Sequence, residues 1–300
     1  MTSNHISSEK QRPSGSEVSI PPASISLLSR ILLWLGAGLG LLVYFLGIRR
    51  RVTYQGLSRA FPQLTPRARR RLGRRVYAQL GRSMVEILLA RKMDDQTLNR
   101  LVCFEGFERY EAANALGRGV VVAIGHFGNW ELLMRACARR GVRLAIISRT
   151  LPGVLNDFFF GLRKDTGVGI VRERDSIGDA LQRLRSGETL GVPVDQNMRL
   201  KRGIFVPFFG TLACTTPTAA VLSLRTGAPL LAAFPVRQPD GSHRVLVEGP
   251  FAAPEGLRGR DAVLALTEEV TRAVERVVRA HPDHWYWLHR RWKTRPPSPP

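Results

Sequence analysis

The residue types best suited to chemistry in this sequence lie in the heptapeptide GHFGNWE, which runs from Gly125 to Glu131. A histidine can take a proton from a reacting hydroxyl group, and a carboxylate within reach of its ring can hold the ring in place. We therefore predict that His126 is a general base and that Glu131 is its orienting acid. A loop histidine followed by a glutamate that opens a helix is the alternative, because this spacing often arises by chance.

The sequence around the heptapeptide predicts a strand that passes into a helix. The β-branched run at residues 120–124 is bounded by glycines and is typical of a buried strand, and LLMRACARR after it predicts a helix that ends at Gly141. Ligands of open α/β sheets collect outside the carboxyl ends of the strands. His126 is therefore expected to face such a crevice.

Two other predicted strands end in polar residues. Ser148 and Arg149 follow the strand predicted at residues 142–148, and Asp195 begins the sequence DQN after VPV. Strand ends are often polar for no functional reason, but strands of one parallel sheet bring their carboxyl ends to the same edge. We expect these residues to share a crevice with His126 and to handle an anion there.

The order of predicted elements favours an α/β fold with a single mixed, mostly parallel sheet flanked by helices. Strands are predicted at residues 120–124, 142–148, 168–171, 189–194, 229–236 and 243–248. Helices are predicted at residues 131–140, 176–186, 217–226 and 261–280, and residues 195–216 are predicted to be irregular.

The net charge of the chain limits the classes of molecule that it is expected to bind. Forty-five Lys and Arg residues against 24 Asp and Glu give a net charge of +21 and a pI near 11.4. Such a chain favours polyanions, meaning nucleic acid, an anionic membrane surface or an acidic protein. Three widely spaced cysteines in apolar surroundings are typical of a reducing compartment.

An apolar run without charge, residues 31–48, is long enough to cross a membrane. Arg30 precedes it and three consecutive arginines, 49–51, follow it. It has no cleavage site of a secretory signal, and the positive-inside rule places the arginine triplet in the cytoplasm. We predict one N-terminal transmembrane anchor at 25–48 after a mobile tail at 1–24, with a deep monotopic hairpin as the alternative.

The segment that follows is unusually basic. Residues 49–82 contain eleven arginines and no carboxylate. Thr65 and Pro66 predict the start of a helix, along which apolar residues recur every fourth position from Ala68 to Leu88. Basic amphipathic helices on an anionic membrane surface are therefore predicted at 49–93, although a core-packing helix with a solvated back has the same apolar stripe.

The chain lacks several common catalytic motifs. It contains no phosphate-binding loop of the Walker type, no dinucleotide fingerprint after a strand and no nucleophile elbow. His281, His284 and His289 lie near the C-terminus, but their spacing does not match a zinc site. The neighbouring Trp285, Trp287 and Trp292 beside basic residues are instead expected to form an interfacial or anion-binding edge.

Four segments taken together resemble a known family. They are RGVVVAIGHFGNWE, VPVDQN, GIFVPFFGTLACTTPTAAVLSLRTGAP and WYWLHRRWKTRP. In this order they resemble the bacterial lipid A biosynthesis acyltransferases, the lauroyl and myristoyl transferases within the lysophospholipid acyltransferase superfamily. The resemblance runs from the predicted anchor to Pro296.

The resemblance implies an enzyme of the bacterial inner membrane with its catalytic domain, residues 94–295, in the cytoplasm. It implies transfer of a fatty acyl chain from acyl carrier protein to a hydroxyl group of a Kdo-bearing lipid A precursor, without a metal or other cofactor. His126 and Glu131 match the catalytic pair of the family, and Arg149, Arg163 and Asp195 match residues that bind substrate or support the pair.

The predicted mechanism assigns roles to further residues around His126. The arginines are expected to hold anionic groups, Asp195 to pair with one of them or with a sugar hydroxyl, and the amides near Gly128 and Asn129 to stabilise the oxyanion. A coenzyme A donor, a lysophospholipid acceptor and a mannosylated glycolipid acceptor remain alternatives. A membrane-tethered nucleic-acid-binding protein is a remote alternative, because it leaves GHFGNWE unexplained.

Overall fold

The computed structural model describes residues 26–149, 153–172 and 176–297. The predicted tail at 1–24 lies outside these ranges, and so do the last three residues of the segment 296–300. The α-helices of the described residues are α1 Leu27–Phe45, α2 Arg50–Ala60, α3 Pro66–Ala90, α4 Asp95–Leu101, α5 Phe107–Ala115, α6 Trp130–Arg139, α7 Val154–Lys164, α8 Ser176–Arg185, α9 Thr218–Thr226 and α10 Gly259–Ala280. The strands are β1 Val102–Glu105, β2 Val120–Ile124, β3 Leu144–Ser148, β4 Gly169–Arg172, β5 Thr189–Pro193, β6 Ile204–Phe208, β7 Thr211–Thr215, β8 Leu230–Arg237 and β9 His243–Phe251.

Seven of these strands form the central sheet, in the order β1-β9-β8-β2-β5-β3-β4. Strands β8, β2, β5, β3 and β4 run parallel to one another, whereas β9 pairs with β8 in antiparallel fashion and β1 runs parallel to β9. The mixed, mostly parallel α/β sheet predicted from the sequence is confirmed. In register, Ile124 at the end of β2 lies beside Pro193 at the end of β5.

Helices cover both faces of the sheet, as the alternation of side chains along each strand requires. On β2, Val121 and Ala123 join the main core with side chains of α8, α9 and α10, while Ile124 points to the other face. That second face is covered by α5 and α6. Strand β2 is therefore buried on both sides, which explains its unbroken apolar sequence.

The N-terminal helices pack on this domain as a layer of their own. Thr65 caps α3 by accepting a hydrogen bond from the amide of Ala68 at 3.2 Å, so the predicted helix start is confirmed. Helix α1 is the one helix of the described residues that is long and apolar enough to cross a membrane. It lies against α3 over most of its length.

The structure contains elements that the sequence pattern does not predict. Strands β6 and β7 form a hairpin within the stretch predicted to be irregular. Its turn residues, Phe209 and Gly210, both have positive φ angles of 52° and 70°. Hairpin turns of this kind normally carry Asn or Asp before the glycine, so the phenylalanine hides the signal. Helix α5 likewise begins without a side-chain cap.

Candidate active site

The heptapeptide forms the loop between β2 and α6 and the first two residues of α6, as predicted. Gly128 adopts a φ angle of +55°, and a Cβ atom at this position would lie 1.8 Å from the carbonyl oxygen of Pro235. Only glycine fits both the conformation and the space. The amide of Gly128 donates a hydrogen bond of 2.7 Å to the carbonyl oxygen of His284. This amide is therefore already bonded within the protein, and its predicted contact with an oxyanion stays a prediction.

His126 is held by Asp195, the second residue after β5. The Nδ1 atom of His126 lies 2.9 Å from Oδ1 of Asp195, and the backbone amide of His126 donates to Oδ2 at 2.7 Å. Because an ionised carboxylate only accepts hydrogen bonds, Nδ1 carries the proton and Nε2 carries the lone pair. The side chain of His126 is 27% exposed, whereas that of Asp195 is 1% exposed.

Asp195 is stabilised in its charged form. Burial alone raises the pKa of this carboxyl group, but attraction to His126 and hydrogen bonds from His126 and Trp285 outweigh it and lower the pKa to about 2. The Nε1 atom of Trp285 donates to Oδ2 at 2.8 Å. Asp195 is thus a fixed negative charge behind the histidine ring.

Glu131, by contrast, is paired with an arginine and not with His126. It is the second residue of α6 and is 8% exposed, and its carboxylate pairs with Arg163 of α7, with Oε1 at 2.5 Å from Nη2 and Oε2 at 3.3 Å from Nε. Trp130 lies against the ring of His126 instead, at a centroid distance of 5.1 Å. In the structure the carboxylate in contact with His126 is that of Asp195, because α6 directs Glu131 toward α7.

The two arginines expected to hold anions occupy different environments. The guanidinium group of Arg163 binds Glu131 and also donates from Nη1 to Oγ of Ser148 at 2.9 Å. It therefore cross-links α6, α7 and the end of β3. Arg149 follows β3, and its side chain is exposed. The sequence predicts an arginine or a sugar hydroxyl as the partner of Asp195, whereas in the structure Asp195 pairs with His126.

The C-terminal segment forms one wall of the site. The amide of Tyr286 donates to the carbonyl oxygen of His126 at 2.9 Å, and Phe127 forms a β-bridge with Trp285. Trp285, Trp287 and Trp292 are at most 8% exposed, so the expected interfacial edge of tryptophans is wrong. Their spacing gave no signal of this role, because residues 285–292 form no regular helix or strand that a periodic pattern could reveal.

A buried ionic cluster supports the loop from the side of α3. Glu86, which is 3% exposed, accepts hydrogen bonds from both terminal nitrogens of Arg237. It also accepts from Nε2 of His243 at 3.1 Å and from Nδ2 of Asn129 at 2.9 Å. Burial, followed by the charge of Arg237, lowers the pKa of His243 well below its ordinary value, so this imidazole is neutral.

Asn129 connects this cluster to the catalytic loop. Its Oδ1 atom caps α6 by accepting from the amide of Leu132 at 3.1 Å, while its Nδ2 atom donates to Glu86. Both halves of the amide are used, which fixes its orientation. The sequence does not reveal Glu86 or the contact of Trp285 with Asp195, because the partners lie 43 and 90 residues away along the chain.

An apolar cavity of about 50 Å³ lies under α6, on the face of the sheet to which Ile124 points. Val122, Ile124, Gly191 and Met134 are among its lining residues, and Tyr110 and Thr189 line the part nearest the amino ends of β2 and β5. The hydroxyl groups of Tyr110 and Thr189 are 3.0 Å apart. Among the described residues, no group of three or more His, Cys, Asp or Glu side chains is arranged to hold a metal ion.

Residues 24–294 match the sequence model of the bacterial lipid A biosynthesis acyltransferases. The chain belongs to this family. It is therefore an acyltransferase of lipid A biosynthesis by family, and His126, Asp195, Glu131 and Arg163 form its candidate active site.

Individual relatives are similar over most of the chain. The lipid A biosynthesis lauroyltransferase of Escherichia coli is 26% identical over 89% of this chain and 86% of its own length. The palmitoleoyltransferase of the same pathway in Escherichia coli gives the same identity and coverage. A phosphatidylinositol mannoside acyltransferase of Mycobacterium tuberculosis is 26% identical over 71% of this chain and 67% of its own length.

Proposed function

We propose that this acyltransferase moves a fatty acyl chain from acyl carrier protein to a hydroxyl group of a Kdo-bearing lipid A precursor, late in lipid A biosynthesis. The observation that carries the proposal is the partly exposed His126, whose Nδ1 atom is bonded to the buried Asp195. This arrangement leaves Nε2 available as a base toward an incoming substrate.

In the proposed reaction the acceptor hydroxyl attacks the carbonyl carbon of the acyl thioester while Nε2 of His126 takes its proton. The tetrahedral intermediate collapses with loss of the thiolate, and the proton passes from His126 to the sulfur. An ester and a free thiol result, so no metal or redox cofactor is required. Asp195 keeps Nδ1 protonated and stabilises the imidazolium, as the acid of a catalytic triad does.

Glu131 has a supporting role in this mechanism. Its pairing with Arg163 fixes the first turn of α6 relative to α7 and to Ser148. Loss of either partner would leave the other charge buried without a counterion, which is strongly destabilising. A glutamate at this position is therefore needed for the shape of the site and not for proton transfer.

The apolar cavity beside β2 is the proposed binding site of the acyl chain. It lies on the face of the sheet that carries Ile124, one residue before the loop with His126. Its volume of about 50 Å³ is smaller than a fatty acyl chain, so the side chains around it must move apart when the donor binds. Tyr110 and Thr189 close the end of the cavity that lies farther along β2 from His126.

The charge of the chain suits both proposed substrates. Acyl carrier protein is acidic, and a lipid A precursor bears phosphate and carboxylate groups, whereas the chain carries a net charge of +21. Arg149, exposed after β3, remains the proposed contact for such anions. The proposal places the catalytic domain on the cytoplasmic face of the inner membrane, where acyl carrier protein is found.

A deletion strain tests the acceptor. Mass spectrometry of its lipid A is expected to show a precursor that lacks one acyl chain, and the plasmid-borne gene is expected to restore it. An unchanged acyl count would refute the proposed acceptor.

The similarity to phosphatidylinositol mannoside acyltransferases supports a second candidate, in which the acceptor is a mannosylated phospholipid. The same base and acid would serve either reaction. Offering both acceptors to the purified enzyme distinguishes the two, because the correct acceptor gives the higher kcat/KM.

A further inference from the structure

Helix α1 is joined to α3 by direct contact between the two backbones. A Cβ atom on Gly81 would lie 2.0 Å from the carbonyl oxygen of Gly36, and one on Gly40 would lie 2.0 Å from that of Tyr77. Small residues that allow such close approach are typical of tightly packed helix pairs in membranes. The two helices run antiparallel, because increasing positions in α1 meet decreasing positions in α3.

Aromatic side chains extend this contact along α1. The guanidinium group of Arg82 lies over the ring of Trp34 at 5.6 Å, and that of Arg74 lies over the ring of Phe45 at 5.7 Å. The tyrosine rings of Tyr44 and Tyr77 meet at 5.4 Å. Helix α1 is therefore packed on α3 from Trp34 to its last residue.

The opposite side of the same stretch of α3 packs on the catalytic domain through polar groups. Arg75 binds Asp283 at 2.6 Å, and Gln79 lies 3.3 Å from Nε2 of His284. Glu86, farther along α3, belongs to the buried ionic cluster with Arg237. Residues 75–86 of α3 thus have α1 on one side and the catalytic domain on the other.

This packing conflicts with a helix that crosses the bilayer. Along a crossing of about 28 Å, the middle of α1 would be at the centre of the hydrocarbon layer. Gly81 of α3 meets Gly36 there, so the adjacent Arg82 would lie near the centre of the layer, and Arg75, whose side chain is 62% exposed, lies only six residues from Gly81. A charged side chain at that depth costs at least about 2.5 kcal/mol, and the neighbouring domain would have to enter the membrane as well.

We infer that α1 does not cross the membrane but lies along its cytoplasmic leaflet together with α3, so that the N-terminus of the chain stays in the cytoplasm. The single-pass anchor predicted from the sequence is replaced by a monotopic one. The face of α1 turned away from α3 exposes Leu35, Leu39 and Leu42 by 53–60%. These side chains enter the hydrocarbon layer.

Charge complementarity identifies the partner surface as an anionic leaflet. Arg30 is exposed on the first turn of α1, and the triplet 49–51 follows the end of this helix. The exposed Arg67, Arg70 and Arg71 lie on the first two turns of α3. Each arginine near such a surface contributes roughly 1 kcal/mol to binding. The apolar face and the arginines together hold α3, and the catalytic loop on its far side, close to the lipid.

Labelling of a single cysteine tests the path of α1. Cysteine is introduced by Ser16→Cys in a chain whose three native cysteines are replaced by alanine, and spheroplasts are treated with a membrane-impermeant maleimide. We expect labelling only after the inner membrane is permeabilised, as for a Glu255→Cys control on the catalytic domain. Labelling of intact spheroplasts, at the level of a periplasmic control protein, would overturn the inference.

A second measurement tests whether α1 enters the lipid. The double variant Leu35→Glu, Leu39→Glu is expected to move from the membrane pellet to the soluble fraction in carbonate wash, at least tenfold more than wild type. Leu116→Glu, an equally exposed leucine after α5, is the control and is expected to stay in the pellet. Retention of the double variant in the pellet would contradict insertion of α1. Neither measurement involves acyl transfer, so the proposed function is not at stake in them.

Discussion

Replacing Asp195 with asparagine separates the two carboxylates that could assist His126. Asparagine preserves the volume of the side chain but presents one oxygen and one amide group. The Oδ2 position receives two donors, from the amide of His126 and from Trp285, so the amide oxygen is expected to take that place. Its NH₂ group then faces Nδ1 of His126 and forces the proton of the ring onto Nε2, where it blocks the base.

The expected loss of activity is large. A positioned general base contributes roughly 10² to 10⁴ in rate, so kcat of Asp195→Asn should fall by a factor in this range. KM for the acceptor should change little, because Asp195 is buried behind the histidine. Glu131→Gln is the variant to compare with Asp195→Asn. It should chiefly lower the free energy of unfolding, because it leaves Arg163 without its counterion.

The stability of the variant follows from the pKa of Asp195. A pKa lowered from 3.8 to about 2 in the folded protein corresponds to about 2 kcal/mol of stabilisation at neutral pH. Because the folded pKa is the lower one, this contribution is full above pH 4 and disappears as the pH falls toward 2. The free-energy difference between wild type and variant should shrink over that interval.

Activity is measured by thiol release from acyl carrier protein, and stability by denaturant unfolding in detergent. Asp179→Asn, which removes a partly exposed ion pair of α8, serves as the control. Wild-type kcat in Asp195→Asn, with loss of kcat in a stably folded Glu131→Gln, would refute the assignment of the orienting acid to Asp195.

Three further variants test the framework around the site. Gly128→Ala should abolish activity and lower the yield of folded protein, because its Cβ atom would meet the carbonyl oxygen of Pro235 at 1.8 Å; normal activity would contradict the close approach. Glu86→Gln should lower the free energy of unfolding by about 3 to 5 kcal/mol, whereas the partly exposed Glu188→Gln should cost about 1 kcal/mol or less, and equal losses would refute a special role of the buried cluster. Gly191→Leu should shift donor preference toward shorter acyl chains in competition assays, since Gly191 lines the apolar cavity; an unchanged preference would remove the cavity from the donor site.

Much of the fold could be predicted from local patterns. The apolar run of β2 between glycines and the Thr65 cap of α3 each depend on neighbouring residues, and the structure confirms both. The hairpin of β6 and β7 could not be found in this way, because its turn is built on Phe209 and not on Asn or Asp.

The residues of the candidate site likewise differ in whether local sequence could predict them. The position of His126 after a strand is a local property, whereas its partner is set by which strands are neighbours. Strands β2 and β5 pair, so the residues that follow them, His126 and Asp195, meet across 69 positions of sequence. Glu131 is near in sequence but sits on the first turn of α6, which directs it to Arg163. Spacing alone could not distinguish these two carboxylates.

Transfer by the purified enzyme tests the central claim most directly. Wild type and His126→Ala are each incubated with acyl carrier proteins of several chain lengths and a Kdo-bearing lipid A precursor, and the acylated product is measured by mass spectrometry. The proposed function predicts one added acyl chain with wild type and a rate lower by about 10² or more with His126→Ala. Equal rates for the two proteins, or no product with wild type on this acceptor, would contradict it.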